Sequence, residues 1–251
     1  MKKILSFILM SAMAAFIVGC DKNAPTSVDT MEETTLQTTD MSTVADQSDA
    51  LAKGFHAGTY EITLYNLTPA TGAGTAQPLS PAVIATHRKD FDMFHHNGWA
   101  STELQNIAEQ GDNSAMLEAL ENAHGVFAYT AGDGPVFPGG NKTFTIQGVP
   151  GFTKLSMVMM LGNTNDGFAA ADAVELPRHG TKVYYLKDYD AGTEVNTELF
   201  AHLACCSDYG AGIDEHKKIS AHPGIRGIGD QDRAIYGWEG PAAKIVVKRV
   251  N

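Results

Sequence analysis

Three of the acidic residues in two short, glycine-containing segments of the sequence could bind a metal ion. Asp166 lies in Asn163–Phe168, and Asp190 and Glu194 lie in Asp188–Glu194. Each segment directly follows a strand-like run, so the three carboxylates can converge if those strands end on the same side of a sheet. Ca²⁺ accepts a shell made only of oxygen atoms, at about 2.3–2.6 Å and in flexible geometry. The pattern therefore permits a calcium site formed by Asp166, Asp190 and Glu194.

The same two segments have a second interpretation. The sequences Asn-Asp-Gly and Asp-Ala-Gly-Thr are typical of solvated turns that bind nothing. Gly167 and Gly192 fit both interpretations, because glycine permits a tight turn and also lets the backbone direct its carbonyl groups inward. Spacing alone leaves both open.

The cysteines and histidines form no recognisable catalytic or zinc-binding motif. The adjacent residues Cys205 and Cys206 can form a vicinal disulfide in an exported protein, or stay reduced and pack as small apolar side chains. No histidine pair has the His-Glu-x-x-His spacing, and only the stretch from His95 to Trp99 is expected to line a pocket. A hydrolase that holds a catalytic ion on the acidic residues would need a base such as His95 or His222.

The elements that must position these residues indicate a mainly β protein, an antiparallel β-sandwich with a small helical insertion. Six strand-like runs are 60–66, 125–130, 141–147, 154–161, 181–186 and 242–250. The run 154–161 is apolar on both faces, which predicts a central strand covered on both sides. Lysines in 243–248 predict a strand closer to an edge. Two helices are expected, one at 101–111 and one that begins at Asn113 or Ser114 and ends before Gly125.

Composition and charge limit the class of protein. With 43% hydrophobic and 19% charged residues, the chain can bury a core. It carries 18 Lys and Arg against 29 Asp and Glu, a net charge of −11. That deficit of basic residues argues against a nucleic-acid partner. Three cysteines are too few for a disulfide scaffold.

The N-terminal residues have the pattern of an export signal. In residues 1–19, two lysines precede an apolar stretch that is too short for a comfortable membrane span. Its end, Ile-Val-Gly before Cys20, resembles the bacterial lipobox, in which the cysteine is lipidated and begins the mature chain. Residues 20–57 are rich in Thr, Asp and Glu, which predicts a disordered tether, and 58–251 should form the folded domain. We expect a lipid-anchored protein of the bacterial cell envelope, on the outer membrane or the periplasmic face of the inner membrane.

Four segments follow the order seen in the spondin domain family. They are Gly98–Ser101, Ile107–Asp112, the run from Leu155 into Asn165–Phe168, and Tyr189–Glu194. Over roughly residues 58–250, the chain therefore resembles the bacterial lipoprotein members of that family. The resemblance implies a β-sandwich like that of calcium-dependent phospholipid-binding modules, a bound divalent cation and a role in extracellular-matrix adhesion.

The resemblance also implies roles for individual residues. Asp166 and Asp190 match the metal-binding acids of the animal members, and Glu194 stands where those domains usually have Asp. The family segment Pro-Ser-Pro-Asp-Trp is replaced by Asn163–Phe168, which lacks the prolines and the Trp.

We therefore predict a non-enzymatic, membrane-tethered adhesion or protein-binding module with bound Ca²⁺, whose protein or matrix partner the sequence does not identify. The alternatives are a periplasmic metal-dependent hydrolase that uses the same carboxylates, and an envelope protein without a ligand.

Overall fold

Two antiparallel β-sheets pack face to face in the computed structural model, which describes residues 54–70, 76–204 and 212–251. The strands of this part are β1 Gly58–Asn66, β2 Val83–His87, β3 Val126–Ala131, β4 Asn141–Gly148, β5 Lys154–Met160, β6 Gly167–Glu175, β7 Thr181–Tyr185, β8 Lys187–Asp190, β9 Ser220–Ala221 and β10 Ala243–Arg249. The four-stranded sheet has the order β4-β1-β10-β7, and the six-stranded sheet has the order β3-β2-β5-β6-β8-β9. The predicted mainly β sandwich is confirmed.

The main core lies between the two sheets and follows from the alternation of side chains along each strand. In β1, Tyr60, Ile62 and Leu64 are fully buried, because successive side chains of a strand point to opposite faces. Thr63 lies on the outer face, where its hydroxyl is 3.0 Å from that of Thr143 on β4. Each large apolar side chain buried in this way contributes about 1.5–3 kcal/mol to stability.

Strand β5 is central, as its continuous apolar run predicts. It pairs with β2 on one side and β6 on the other, and its residues from Leu155 to Met160 are buried. Helices α1 (Thr102–Gln110) and α2 (Ser114–Glu121) cover the second face of this sheet. Helix α1 begins at Ser101, whose hydroxyl accepts the N–H of Leu104, and ends at Gly111 in the left-handed conformation with φ 68°.

The prediction that the last strand lies near an edge is wrong. Strand β10 lies between β1 and β7 in the middle of the four-stranded sheet. Its lysines project from the uncovered outer face, where the ammonium group of Lys244 lies 5.1 Å from the centre of the Tyr65 ring. A lysine indicates that its side chain reaches solvent, not that its strand lies at an edge. In a sheet with one uncovered face, central strands also have solvent-exposed side chains.

The acidic segments are not purely loops. Gly167 and Phe168 begin β6, a strand of nine residues that is rich in alanine. Because alanine has little β propensity, this strand is hard to predict from the sequence. The chain leaves the four-stranded sheet after β7, passes through the buried Leu186 and enters the six-stranded sheet as β8. Asp190 thus ends its own short strand instead of following β7, which is an exposed edge strand.

Several predictions concern residues that lie outside the described ranges. These are the export signal 1–19, the lipidated Cys20, most of the tether, and the pair Cys205 and Cys206. Within the described part of the chain, Phe55 already packs against the core. The described residues also include no helix that is long and apolar enough to cross a membrane.

Candidate functional site

The two acidic segments meet at one end of the six-stranded sheet. Asp190 is the last residue of β8, and Asp166 directly precedes the first residue of β6. These strands are antiparallel neighbours, with Gly167 opposite Asp190 and Phe168 opposite Tyr189. The rings of Phe168 and Tyr189 stack with their centroids 5.2 Å apart, so the acidic end rests on buried aromatic side chains.

Asp166 connects the two segments by hydrogen bonds. Its Oδ2 atom accepts the backbone N–H groups of Thr193 at 2.7 Å and Glu194 at 3.1 Å, and the Thr193 hydroxyl at 3.3 Å. The Asp166 carbonyl accepts the N–H of Ala191 at 3.1 Å. The structure therefore brings the three acidic residues into one connected unit, as their spacing predicts, while cation binding stays a prediction.

Asp190 shapes the turn that follows it. Its Oδ1 atom accepts the N–H of Gly192 at 2.8 Å, and its Oδ2 atom accepts the side-chain amide of Asn196. Gly192 has φ 71°, and a Cβ atom there would lie 2.5 Å from the carbonyl oxygen of Lys217. Glycine is therefore required at this position for both conformation and space.

Glu194 is the third acid of the unit and is also buried, with 8% of its surface exposed. Its carboxyl group packs so closely against Gly212 that a Cβ atom at that position would overlap it. Burial, followed by the charges of Glu109 and Asp166, raises the pKa of Glu194 to about 8. The side chain thus lacks the positive partner that would hold it ionised.

Asp166 has a related electrostatic environment. Burial, and next the charge of Asp190, raise the pKa of Asp166 to about 6, although its accepted hydrogen bonds oppose this shift. The Oδ1 atom of Asp166 is buried and has no hydrogen-bond partner among the described residues. A buried acceptor without a partner costs about 1–3 kcal/mol. The site therefore combines an excess of negative charge with an unused oxygen.

Polar residues around the three acids hold their backbone in place, and no pattern in the sequence predicts them. Asn165 Oδ1 accepts the N–H of Thr197 at 3.1 Å. The neighbouring Glu198 is buried with φ 56°, and its carboxylate accepts three consecutive backbone N–H groups, those of Arg226, Gly227 and Ile228, at 2.7–2.9 Å. The glycine-rich stretch after His222 is the one sequence signal of a loop that wraps an anion.

The oxygen atoms of this unit fit a hard cation in chemical type. Asp166 Oδ1 has no hydrogen-bond partner among the described residues, whereas Glu194 accepts one hydrogen bond from the side chain of Asn165 and both Asp190 oxygens already accept hydrogen bonds. Within the described ranges, no three or more His, Cys, Asp or Glu side chains are arranged to hold a metal ion by themselves. A cation here would therefore also need amide, carbonyl or water oxygens, which Ca²⁺ accepts.

The two histidines named for a hydrolase each have a partner of their own. His222 lies beside Gly167, but its Nδ1 atom accepts the N–H of Gly224 at 2.9 Å, so the proton of the neutral ring is on Nε2. Burial lowers the pKa of His222 to about 4. A ring in this state offers no lone pair to a substrate proton. His95 instead lies 3.3 Å from the carboxylate of Asp92.

Comparison with known families assigns the chain to a family. The model of the Spondin_N family matches residues 69–201, just over half of the chain. The chain belongs to the spondin family. A search of curated proteins finds no match. The spondin match contains Asp166, Asp190 and Glu194, together with most of the six-stranded sheet.

The spondin domain of this chain extends beyond the matched residues. Strand β1 precedes the match and β10 follows it, yet the two pair with each other in the middle of the four-stranded sheet. The guanidinium group of Arg249, at the end of β10, donates to the carbonyl of Ala57 at 2.8 Å. The two ends of the domain are thus held together outside the region that identifies the family.

Proposed function

We propose that this spondin-family protein is a non-enzymatic binding module whose acidic end takes up Ca²⁺. The observation that supports this most is the buried, unpartnered Oδ1 atom of Asp166 beside Glu194, whose pKa is raised to about 8. Lys217 interacts with Asp166 through its charge, but neither Asp166 nor Glu194 forms a salt bridge among the described residues. A divalent cation would supply positive charge to both carboxyl groups at once. Oxygen ligands in a flexible arrangement favour Ca²⁺ over ions that need nitrogen or sulfur ligands.

Each acidic residue has a distinct part in this proposal. Asp166 and Glu194 would hold the ion, and Asp190 would add negative charge and fix the turn that carries Glu194. The ion would keep the three carboxylates ionised at neutral pH and would tie the start of β6 to the end of β8. The expected consequence is a rigid loop surface at this end of the sandwich, with no reaction step.

Thermal unfolding tests the calcium proposal. In excess Ca²⁺ the melting temperature should exceed that in chelator, because a ligand that binds only the folded state adds about 2.7 kcal/mol at a hundred times its Kd. Asp166→Asn and Glu194→Gln should each abolish the increase. Glu61→Gln, a change of an exposed acid on the opposite sheet, should preserve it. An unchanged melting temperature in the natural protein would contradict the proposal.

We further propose that Cys20 carries the lipid that places the module on the cell-envelope membrane. Each buried CH₂ of an acyl chain contributes about 0.8 kcal/mol, so several chains on one residue hold a protein stably. Cys20→Ala should move the protein from the membrane fraction to the soluble fraction. High salt should not release the natural protein, because the anchor is apolar and the chain is acidic. Membrane retention of the variant would count against this anchor.

The proposed partner is an extracellular protein or matrix component, as the family resemblance implies. Cells that carry the anchored protein should adhere to matrix-coated surfaces in Ca²⁺ and lose this adhesion in chelator. Cells that carry Asp166→Asn should resemble the chelator-treated cells. Equal adhesion in all three conditions would show that the module does not mediate adhesion, even if it binds Ca²⁺.

A further inference from the structure

A pocket of 420 Å³ opens next to the acidic unit. Three parts of the chain line it: Trp99, Ala100 and Gln105, the turn residues Gly192 and Thr193, and the segment Asp214–Lys217. The volume lies within the range of about 300–1,000 Å³ that is typical of small-molecule sites. None of the functions proposed above uses this pocket.

The walls of the pocket are held by backbone hydrogen bonds. Glu215 donates its N–H to the carbonyl of Thr193 at 2.7 Å, and Lys217 donates to that of Gly192 at 2.9 Å. Two residues after Lys217, Ile219 donates its N–H to the carbonyl of Gly98, next to Trp99, at 2.8 Å. Main-chain hydrogen bonds thus join the segment Asp214–Lys217 to the other two parts of the lining.

An aromatic platform forms one side of the pocket. The side chain of Trp99 is 55% exposed, although indole is among the largest apolar groups in proteins. It stacks on the ring of His216 with a centroid separation of 4.3 Å and an interplanar angle of 18°. Exposed aromatic rings held in one orientation provide binding area at little cost in side-chain entropy.

The remaining side chains of the pocket are polar and include both donors and acceptors. Gln105 is held by its amide N–H, which donates to Glu109 at 2.8 Å and leaves the carbonyl oxygen as an acceptor. Glu215 and Lys217 form an ion pair with each other. Asp214 is exposed, and its carboxylate is a further acceptor. The pocket therefore offers hydrogen bonds of both kinds around one flat ring.

These features discriminate among ligand classes. A phosphate or other anion would meet the carboxylates of Asp214 and Glu215, and a cation would meet the ammonium group of Lys217. An apolar ligand would leave most of the polar lining without partners, which costs free energy. A neutral ring with one apolar face and hydroxyl groups at its rim satisfies both the indole and the polar groups.

We infer that this pocket binds a saccharide, with one pyranose ring stacked on Trp99 and its hydroxyl groups hydrogen-bonded to the side chains of Gln105 and Asp214. The inference is independent of calcium binding, because it rests on the Trp99 wall and not on the unpaired oxygen of Asp166.

Titration of the mature protein with a defined saccharide panel tests the inference. The panel is glucose, galactose, mannose, N-acetylglucosamine, cellobiose, maltose, lactose and chitobiose, and the readouts are saturation-transfer NMR and tryptophan fluorescence. At least one of these sugars should bind saturably and change the fluorescence. Trp99→Ala should weaken that binding by about tenfold or more and remove the fluorescence change, and Trp99→Phe should weaken it less, because a smaller ring remains.

Two controls separate the pocket from general effects. Phe137→Ala removes another exposed aromatic side chain, 60% exposed and not part of the pocket, and it should bind the sugar as the natural protein does. Gln105→Ala keeps the Trp99 platform and should weaken binding without changing the melting temperature. Absence of binding across the panel would overturn the inference. Unchanged binding in Trp99→Ala, or an equal loss in Phe137→Ala, would also overturn it.

Discussion

Asp166 shows how a single carboxylate can be held in two opposing ways. The N–H groups of Thr193 and Glu194 favour its ionised form, whereas burial and the charge of Asp190 favour the protonated form and raise its pKa to about 6. A proton therefore neutralises Asp166 below about pH 6, and above that pH a bound cation would do so. This competition between proton and cation is the basis of a pH prediction.

In chelator, we expect these acids to lower stability as the pH rises. The pKa values of Asp166 and Glu194 in the folded protein, about 6 and about 8, lie above the ordinary values of 3.8 and 4.5. Their stabilisation is therefore complete below about pH 4 and is lost as the pH rises through 6 and 8. For the strongly buried Asp166 the loss is at most about 3 kcal/mol.

Urea unfolding between pH 4 and 9 measures this loss. Asp166→Asn should reduce the decline between about pH 4 and 6, and Glu194→Gln should reduce it between about pH 4.5 and 8. Excess Ca²⁺ should remove the decline in the natural protein, because the ion takes the place of the proton. A decline of the same size in both variants would show that other groups cause it. His222, with its lowered pKa, acts in the opposite direction, since protonation destabilises the fold as the pH falls below 6.5.

Gly192 allows a second prediction for a single residue. Gly192→Ala should destabilise the domain through both a positive φ and the overlap of Cβ with the carbonyl of Lys217. Gly180→Ala is the matched control, since Gly180 has φ 66° but no atom within 4 Å of an added Cβ. The free energy of unfolding should fall by about 1 kcal/mol in the control and by about 2–4 kcal/mol at Gly192. Equal losses would show that the space at Gly192 is not limiting.

At the scale of elements, Glu198 organises the loop of residues 226–231. Its carboxylate accepts three N–H groups of that loop, and its carbonyl accepts those of Asp230 and Gln231. Gln231 in turn donates its side-chain amide to the carbonyl of Asn163 at 2.7 Å, at the start of the acidic segment. One buried acid thus connects a long loop to the candidate site.

Glu198→Gln should loosen this loop more than it lowers global stability. The glutamine amide keeps one acceptor oxygen, but its NH₂ group replaces the other oxygen and then faces backbone N–H groups of the loop. Two donors without an acceptor cost about 1–3 kcal/mol. Hydrogen exchange at residues 226–231 should accelerate, while exchange in β5 should not. Glu239→Gln, at an exposed residue with a weak ion pair to Arg233, is the control and should leave the loop unchanged. Protection of the loop in Glu198→Gln would contradict this role.

At the scale of the whole molecule, the first and last strands of the sandwich, β1 and β10, pair with each other. Strand β10 is seated between β1 and β7, and its residues Ala243, Ile245 and Val247 are fully buried in the main core. The family match ends well before this strand. A fragment of residues 69–201 should therefore lack a cooperative unfolding transition, whereas residues 54–251 should unfold cooperatively. Circular dichroism during thermal unfolding distinguishes the two, and a cooperative transition in the short fragment would contradict this view.

Local pattern determined much of this protein. The alternation in β1, the doubly apolar run of β5 and the Ser101 and Gly111 ends of α1 are set by neighbouring residues, and each was predicted from the sequence. The acidic composition of the two turns is also a local property. Residues whose conformation depends on near neighbours can be recognised without coordinates.

Only the tertiary structure decided which residues share a site. Four features depend on contacts between residues that are distant in sequence. They are the central place of β10, the pairing of the alanine-rich β6, the three N–H groups around Glu198 and the stacking of Trp99 on His216. Such contacts depend on the order of the strands and on the path of the loops. The local periodicity of the sequence determines neither. The sequence thus identified the acidic residues, and the strand order determined that they lie together at one end of the six-stranded sheet.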